Sequence, residues 1–165
     1  MKFGIIYYSR TGNTKKAAEL LKNKIQKNKH KADLVEIKHK KKPGFFRAGY
    51  AAIRQKEMAI KNKEFNLKDY DKILLGTPSW AGRPTPYIQT FLKKAKDIKD
   101  KKVGVFVTGS DKPEGNEKVA ERVKDYLEEN NIDTIEEKLV LQVKKESIME
   151  GEKNIESFIR KIIED

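Results

Sequence analysis

The chain has no cysteine, one tryptophan and two histidines, and each scarcity closes a class of function. Without cysteine there is no disulfide framework, no thiolate metal site, no cysteine nucleophile and no cysteine-held iron–sulfur cluster. His30 and His39 lie in lysine-rich surroundings, which reads as surface placement rather than metal ligation. No apolar stretch approaches the roughly 18 residues of a membrane span. Met1-Lys2 leads straight into an apolar run rather than a secretory leader, so a cytoplasmic location is the expectation. Arginine is also scarce, at six of the 37 basic side chains. The lysines are spread along the chain instead of forming a tract, so the net charge of +12 reads as solvated helix faces rather than a nucleic-acid surface.

What is present is a repeating alternation of short apolar runs and amphipathic stretches. At 165 residues the chain suits a single domain spanning 1–165, with no composition shift to mark a second. Phe3 to Tyr8 is β-branched and aromatic and predicts an interior strand. A helix opening near Thr14 carries Ala17, Ala18, Leu21 and Ile25 on one face. Between them, Ser9, Arg10, Thr11, Gly12, Asn13 and Thr14 form a loop of hydroxyls, an amide and one glycine. The first backbone N–H groups of a helix lack intrahelical acceptors, and its dipole puts partial positive charge at the same end, so an anion fits there. Ser9, Thr11 and Thr14 can donate hydroxyls to phosphate oxygens, Asn13 its amide, and Gly12 lets the backbone turn. The same residues would also serve as a plain helix cap. The loop has neither the Gly-x-x-x-x-Gly-Lys-Ser/Thr of a nucleotide triphosphate loop nor three spaced glycines of a dinucleotide fingerprint.

Further along, Ala32 to Ile37 predicts a second, edge strand, followed by a basic break at Lys38 to Lys42. Phe46, Gly49, Tyr50, Ile53, Glu57 and Ile60 then predict a long basic helix over residues 43–63, its apolar stripe packed on the sheet. Asp71 to Thr77 is a third strand, running into a loop over 77–86 whose three prolines and glycine argue against regular structure. That loop holds the only tryptophan, Trp80, a costly side chain to leave uncovered. A third helix carries Tyr87, Ile88, Phe91 and Leu92. The fourth strand, Lys102 to Thr108, ends in a polar glycine loop over 109–116. A helix through Val119 and Leu127, a strand over Ile135 to Val143 and a helix carrying Ile155, Phe158 and Ile162 complete the chain.

Five strand–helix alternations predict an α/β fold, a doubly wound parallel sheet covered on both faces. In such sheets ligands sit beyond the carboxyl ends of the strands, near the switch in strand order. The unusual loops at 9–14, 77–86 and 109–116 all fall at that edge, which points to a ligand with a phosphate and a flat apolar part.

Ser9-Arg10-Thr11-Gly12-Asn13-Thr14 resembles the phosphate loop of flavodoxins, whose pattern after the first strand is Thr/Ser-x-Thr-Gly-Asn-Thr. Gly76 to Pro86 is similar to the second flavin loop of flavodoxin-like proteins. The resemblance implies a three-layer sandwich with a five-stranded parallel sheet of order 2-1-3-4-5, of the short-chain type, and bound FMN. The FMN phosphate would take Ser9 to Thr14. The ring would lie between Thr77, Pro78, Ser79, Trp80, Ala81, Gly82 and Arg83 on one side and Gly109, Ser110, Asp111 and Gly115 on the other. Two departures stand out: flavodoxins are usually acidic, and the third loop lacks the flavin-stacking tyrosine common among them. Trp80 is therefore the expected aromatic contact, with Tyr50 or Phe46 also within reach. The side chain of Arg10 is expected in solvent, and Arg83 with the surplus positive charge should favour reduced flavin.

The flavin would carry the chemistry, so no catalytic side chain and no metal are expected. The leading expectation is an FMN protein that transfers electrons between redox partner proteins, acidic ones among them. The alternative is a small FMN-dependent NAD(P)H or quinone reductase, although no stretch spells a nicotinamide site. A receiver-like phosphate-sensing domain fits poorly, because the ends of strands one and three read Tyr8-Ser9-Arg10 and Gly76-Thr77-Pro78 where acidic residues would be needed.

Overall fold

The apolar runs pair side by side as the parallel centre of one sheet. A computed structural model of the chain describes every residue except 55 and 56, and Phe45 by its backbone alone. The elements, in order, are β1 (Lys2–Tyr7), α1 (Asn13–Lys27), β2 (Lys31–Glu36), α2 (Phe45–Ile53), β3 (Phe65–Asn66), β4 (Lys72–Trp80), β5 (Arg83–Pro84), α3 (Tyr87–Lys94), β6 (Ala95–Lys96), β7 (Lys102–Gly109), α4 (Pro113–Glu129), β8 (Thr134–Lys144), β9 (Ser147–Glu150) and α5 (Asn154–Glu164). The main sheet runs β2-β1-β4-β7-β8-β9. Its first five strands are mutually parallel.

Alternation along each strand divides the core in two. Phe3, Ile5 and Tyr7 of β1 pack with Ala17, Leu21 and Ile25 of α1 and Phe158 and Ile162 of α5. Ile6 and Tyr8 point the other way, toward Ile88 and Phe91 of α3 and Val119 and Val123 of α4. Three layers follow directly from this period of two. No described helix is long and apolar enough to cross a membrane.

Three expectations need correcting. The five long strands lie in the implied order, but the sheet has seven strands rather than five, because two short antiparallel strands are added. β9 folds back on β8 through Lys145 and Glu146, both with positive φ (48° and 61°). β5 folds back on β4 through Ala81 and Gly82, with φ of 51° and 70°. Two consecutive left-handed residues make the tight hairpin turn whose twist matches a right-handed strand pair. The second correction follows: β4 continues as strand through Pro78 to Trp80, so the proline-rich stretch is regular. Its prolines are accommodated where the strand leaves the sheet interior, Pro78 at the last pairing with β7 and Pro84 on the short return strand.

The third correction concerns α2, which spans nine residues and not 43–63. Ile60 instead bridges antiparallel to His39, while residues 55 and 56 of the expected helix lie outside the described residues. Its buried face is Ala48, Ala51 and Ala52, not the apolar stripe. Phe46, Tyr50 and Ile53 are 90%, 58% and 54% exposed. Small side chains let this short helix lie close to the sheet, and the large ones face away.

Candidate functional site

The carboxyl ends of β1, β4 and β7 enclose a cleft of about 580 Å³, within the roughly 300–1,000 Å³ usual for small-ligand sites. Its first side is the turn from β1 into α1. Gly12 has φ of +94°, a conformation glycine adopts freely, and donates its N–H to Ser9 Oγ at 3.2 Å. No acidic residue stands in the first turn of α1. The dipole end of the helix therefore faces the cleft uncompensated from within the helix. Thr14 and Thr108 share a buried hydroxyl–hydroxyl hydrogen bond of 2.8 Å, which ties this turn to β7. If Thr108 donates, the Thr14 hydroxyl keeps its own proton for an anion in the cleft.

Asn13 behaves differently from expectation. Its Nδ2 donates to the Val143 carbonyl at 3.1 Å and its Oδ1 accepts the Glu146 N–H at 2.9 Å. The amide thus clasps the β8–β9 hairpin at both ends and is committed within the protein. The hairpin also brings the Glu146 carboxylate against Gly12, where an added Cβ would meet Oε1 at 2.6 Å.

The second side is the β4–β5 hairpin, with Pro78, Ser79, Trp80, Ala81 and Gly82 in the wall. Thr77 lies beneath it, fully buried. Its hydroxyl accepts the Thr85 N–H at 3.1 Å and donates to the Pro78 carbonyl at 3.0 Å. Trp80 is steadied by aromatic neighbours. Tyr8 and Tyr87 stack at 4.2 Å between centroids, and Trp80 stands edge-on to them at 5.5 and 6.1 Å. Burial raises the pKa of both phenols, with the hydrogen bond to Tyr8 and the positive charge of Arg47 pulling Tyr87 partly back. His39 is half-buried, not a surface residue, its Nδ1 3.5 Å from the Tyr8 hydroxyl.

Gly109, Ser110 and Asp111 make the third side. Gln142 Nε2 donates to the Ser110 carbonyl at 2.8 Å, and Asn116 Nδ2 lies 3.3 Å from the Lys112 carbonyl, which hold this loop. Helix α2 supplies the fourth side through Phe46, Gly49, Tyr50 and Ile53.

Of the residues singled out from the sequence, Arg10, Thr11, Asn13, Thr14, Pro78, Ser79, Trp80, Ala81, Gly82, Gly109, Ser110 and Asp111 line the cleft. Arg10 is half-buried there rather than directed to solvent. Ser9, Gly12 and Thr77 frame the walls from behind, Gly115 sits in the first turn of α4, and Arg83 lies on β5 with its charge bearing on the Tyr126 phenol. Sequence reasoning did not assign Ala48, Gly49, Ile53 or Thr108 to the site, although Gly49 and Ile53 were read as part of the helix. The small residues of α2 were the available signal, since alternation of Ala with Phe, Tyr and Ile marks a helix with its bulk outward.

Fold and cleft together define a flavodoxin-like α/β protein with a cleft at the carboxyl ends of its central strands. The family model for NADPH-dependent FMN reductase matches residues 1–141, and the chain belongs to that family. Solved structures share the fold. A flavoprotein in complex with FMN from Lactobacillus acidophilus NCFM is 24% identical over 95% of this chain and 97% of its own, with a TM-score of 0.68. Oxidised Flavodoxin 2 from Bacillus cereus is 23% identical over 99% of both chains (TM-score 0.68). Flavodoxin 1 of the same organism is 17% identical over 99% of this chain and 98% of its own (TM-score 0.62). No curated protein matches the chain.

FMN is the cofactor of this family, and the residues present fit it. A helix end without acidic residues, beside the Thr11 and Thr14 hydroxyls, suits a phosphate. The slot between Trp80 and the exposed row of α2 suits a flat ring. The Glu146 carboxylate beside Gly12 is discordant with a phosphate at that turn.

Proposed function

We propose that the protein is an FMN-dependent oxidoreductase fed by a reduced nicotinamide dinucleotide. The observation that carries this reading is the row Phe46, Tyr50 and Ile53, which stays exposed along the cleft opposite Trp80. A folded chain gains roughly 1.5–3 kcal/mol by burying each such side chain, and these three are left largely exposed. In this reading the apolar side chains lining the cleft hold the nicotinamide and flavin rings in face-to-face contact. Bound FMN supplies acceptance and release of two reducing equivalents. The protein's part is to bind and orient. In this reading the backbone of the first turn of α1, with Thr11 and Thr14, holds the phosphate, and Asn13 braces the loop from behind. The peptides of Ser79 to Gly82 and of Gly109 to Asp111 line the ring edges, and Trp80 and Tyr50 exclude water from its faces. The single domain over 1–165 acts in the cytoplasm.

A second reading, electron transfer between redox partner proteins, is favoured by the net charge of +12, which would steer acidic partners toward the cleft. Anaerobic addition of NADPH to the FMN-loaded protein separates the two. Bleaching of the visible flavin band within seconds supports the oxidoreductase. A band that NADPH leaves untouched but an acidic reduced donor protein bleaches supports the carrier instead.

A further inference from the structure

Helix α2 begins in positive charge. A helix is steadied by acidic side chains at its start and basic ones at its end. α2 carries no carboxylate, and Arg47 stands in its first turn behind Lys40, Lys41 and Lys42. Only Arg54, at the C-cap, sits where a cation helps the helix. All five cations are exposed, and none forms an ion pair among the described residues. The nearby carboxylate of Glu57 is held by Lys93. The fold thus leaves this charge to an anion outside it.

Phe46, Tyr50 and Ile53 follow one another at spacings of four and three, which sets them on a single stripe of the helix. Ala48, Ala51 and Ala52 take the buried side, and the stripe stands 90%, 58% and 54% exposed. The guanidinium of Arg54 lies 5.7 Å from the centre of the Tyr50 ring, so charge and apolar surface meet in one patch. An exposed apolar stripe flanked by cations suits a helix that lies in a lipid interface without crossing it. At nine residues α2 is far too short to cross.

Two features favour lipid over an acidic protein as the occupant. Protein interfaces are enriched in arginine and depleted in lysine, whereas three of these five cations are lysines. Lysine is a point charge without arginine's fork, and it suits a diffuse anionic surface, to which each basic side chain adds its own attraction. Phe46 also stands almost clear of its own chain. Such a side chain needs a matching pocket in a protein partner, but only a yielding medium in lipid.

We infer that α2 is a docking helix for an anionic lipid surface. Phe46, Tyr50 and Ile53 enter the boundary between headgroups and acyl chains, and the five cations face the headgroups. Because the same row lines the cleft, docking brings that wall of the cleft against the lipid. This goes beyond the function proposed above and stands without it.

The test is co-sedimentation of the FMN-loaded protein with two kinds of vesicle at low salt, one of phosphatidylcholine alone and one with about a third phosphatidylserine. The anionic vesicles should bind at least about tenfold more tightly, and the advantage should shrink as salt is raised. The double variant Phe46→Ser, Ile53→Ser and the triple variant Lys40→Gln, Lys41→Gln, Lys42→Gln should each lose at least about fivefold in affinity for them, with thermal midpoints at the parent value. Lys27→Gln, Lys99→Gln, Lys161→Gln removes the same charge from exposed positions elsewhere, and its affinity should stay within about twofold of the parent. Equal binding to both vesicles, a control variant that loses as much as the triple variant, or binding unmoved in the double variant would overturn the proposal. So would soluble polyglutamate that binds as tightly as the anionic vesicles, which would make an acidic protein the occupant. None of these measurements uses NADPH. A flavin band that NADPH leaves untouched in lipid-free buffer removes the oxidoreductase and leaves the docking helix, and vesicles that fail to bind do the reverse.

Discussion

Asn13 accepts the backbone N–H of Glu146 at 2.9 Å, across 133 residues of sequence, and with its other end donates to Val143. The amide that the motif suggests for the ligand instead locks the last hairpin onto the first loop. Asn13→Ala removes both bonds and leaves the Val143 carbonyl without this donor. A loss of about 1–3 kcal/mol in urea unfolding is expected. Faster amide exchange confined to β9 and the 9–14 loop should accompany it. Asn13→Asp keeps only the acceptor and should fall between parent and Ala. If both variants matched the parent in stability and exchange, the clasp would have no energetic role.

The same hairpin sets a carboxylate beside the phosphate seat. Glu146 is exposed, so its repulsion of a bound phosphate is screened over about 10 Å at 0.1 M salt. Glu146→Gln should tighten FMN binding by roughly two- to fivefold at low ionic strength, the range of an exposed charge pair, with the gain shrinking in high salt. A Kd unchanged by the substitution in dilute buffer would place the phosphate away from Gly12.

Trp80 is the only tryptophan, which makes intrinsic fluorescence a report on one wall of the cleft. FMN titrated into the cofactor-free protein should quench nearly all of that emission, with the same midpoint as recovery of the flavin spectrum. Emission that persists at saturation would exclude the ring from the slot between Trp80 and α2.

Much of this architecture could be read from residue pattern. The five long strands, four of the five helices and the loops at the carboxyl edge follow from apolar runs of period two and stripes of period 3.6. What escaped was decided by tertiary choices. The stripe of α2 has helical spacing, yet spacing alone does not say which face the fold buries; Ala48, Ala51 and Ala52 won because a close approach to the sheet leaves no room for Phe46 or Tyr50. The β4–β5 hairpin was hidden because Ala81, not an Asn or Asp, takes the first left-handed position of its turn.

That difference in α2 can be measured. Were its stripe part of the core, Phe46→Ser or Ile53→Ser would cost about 2–5 kcal/mol. Because both side chains are exposed, each should change stability by less than about 0.5 kcal/mol while raising the KM for NADPH severalfold. A large drop in the thermal midpoint of either variant would return the stripe to the core.

The buried phenols predict how stability responds to alkali. Tyr7 is 3% exposed, and burial, with Glu36 and Glu19 nearby, pushes its pKa up to about 12. Burial likewise raises Tyr8 and Tyr87 above the ordinary value. An unfolded chain releases a phenolic proton at about 10. Between pH 10 and 12 the unfolded state therefore binds fewer protons than the folded one, and stability falls as pH rises. The contribution is intact below pH 10 and is lost through pH 12, at up to about 1.4 kcal/mol per pH unit for each such phenol. Tyr7→Phe keeps the ring and removes the titration. Its unfolding free energy should fall less steeply than the parent's across that window, and the phenolate absorbance of the folded protein should lose one late-titrating group. Parallel slopes for parent and variant would mean that Tyr7 ionises in the folded protein as freely as in the unfolded chain, and that the floor of the sheet beneath the cleft is open to water.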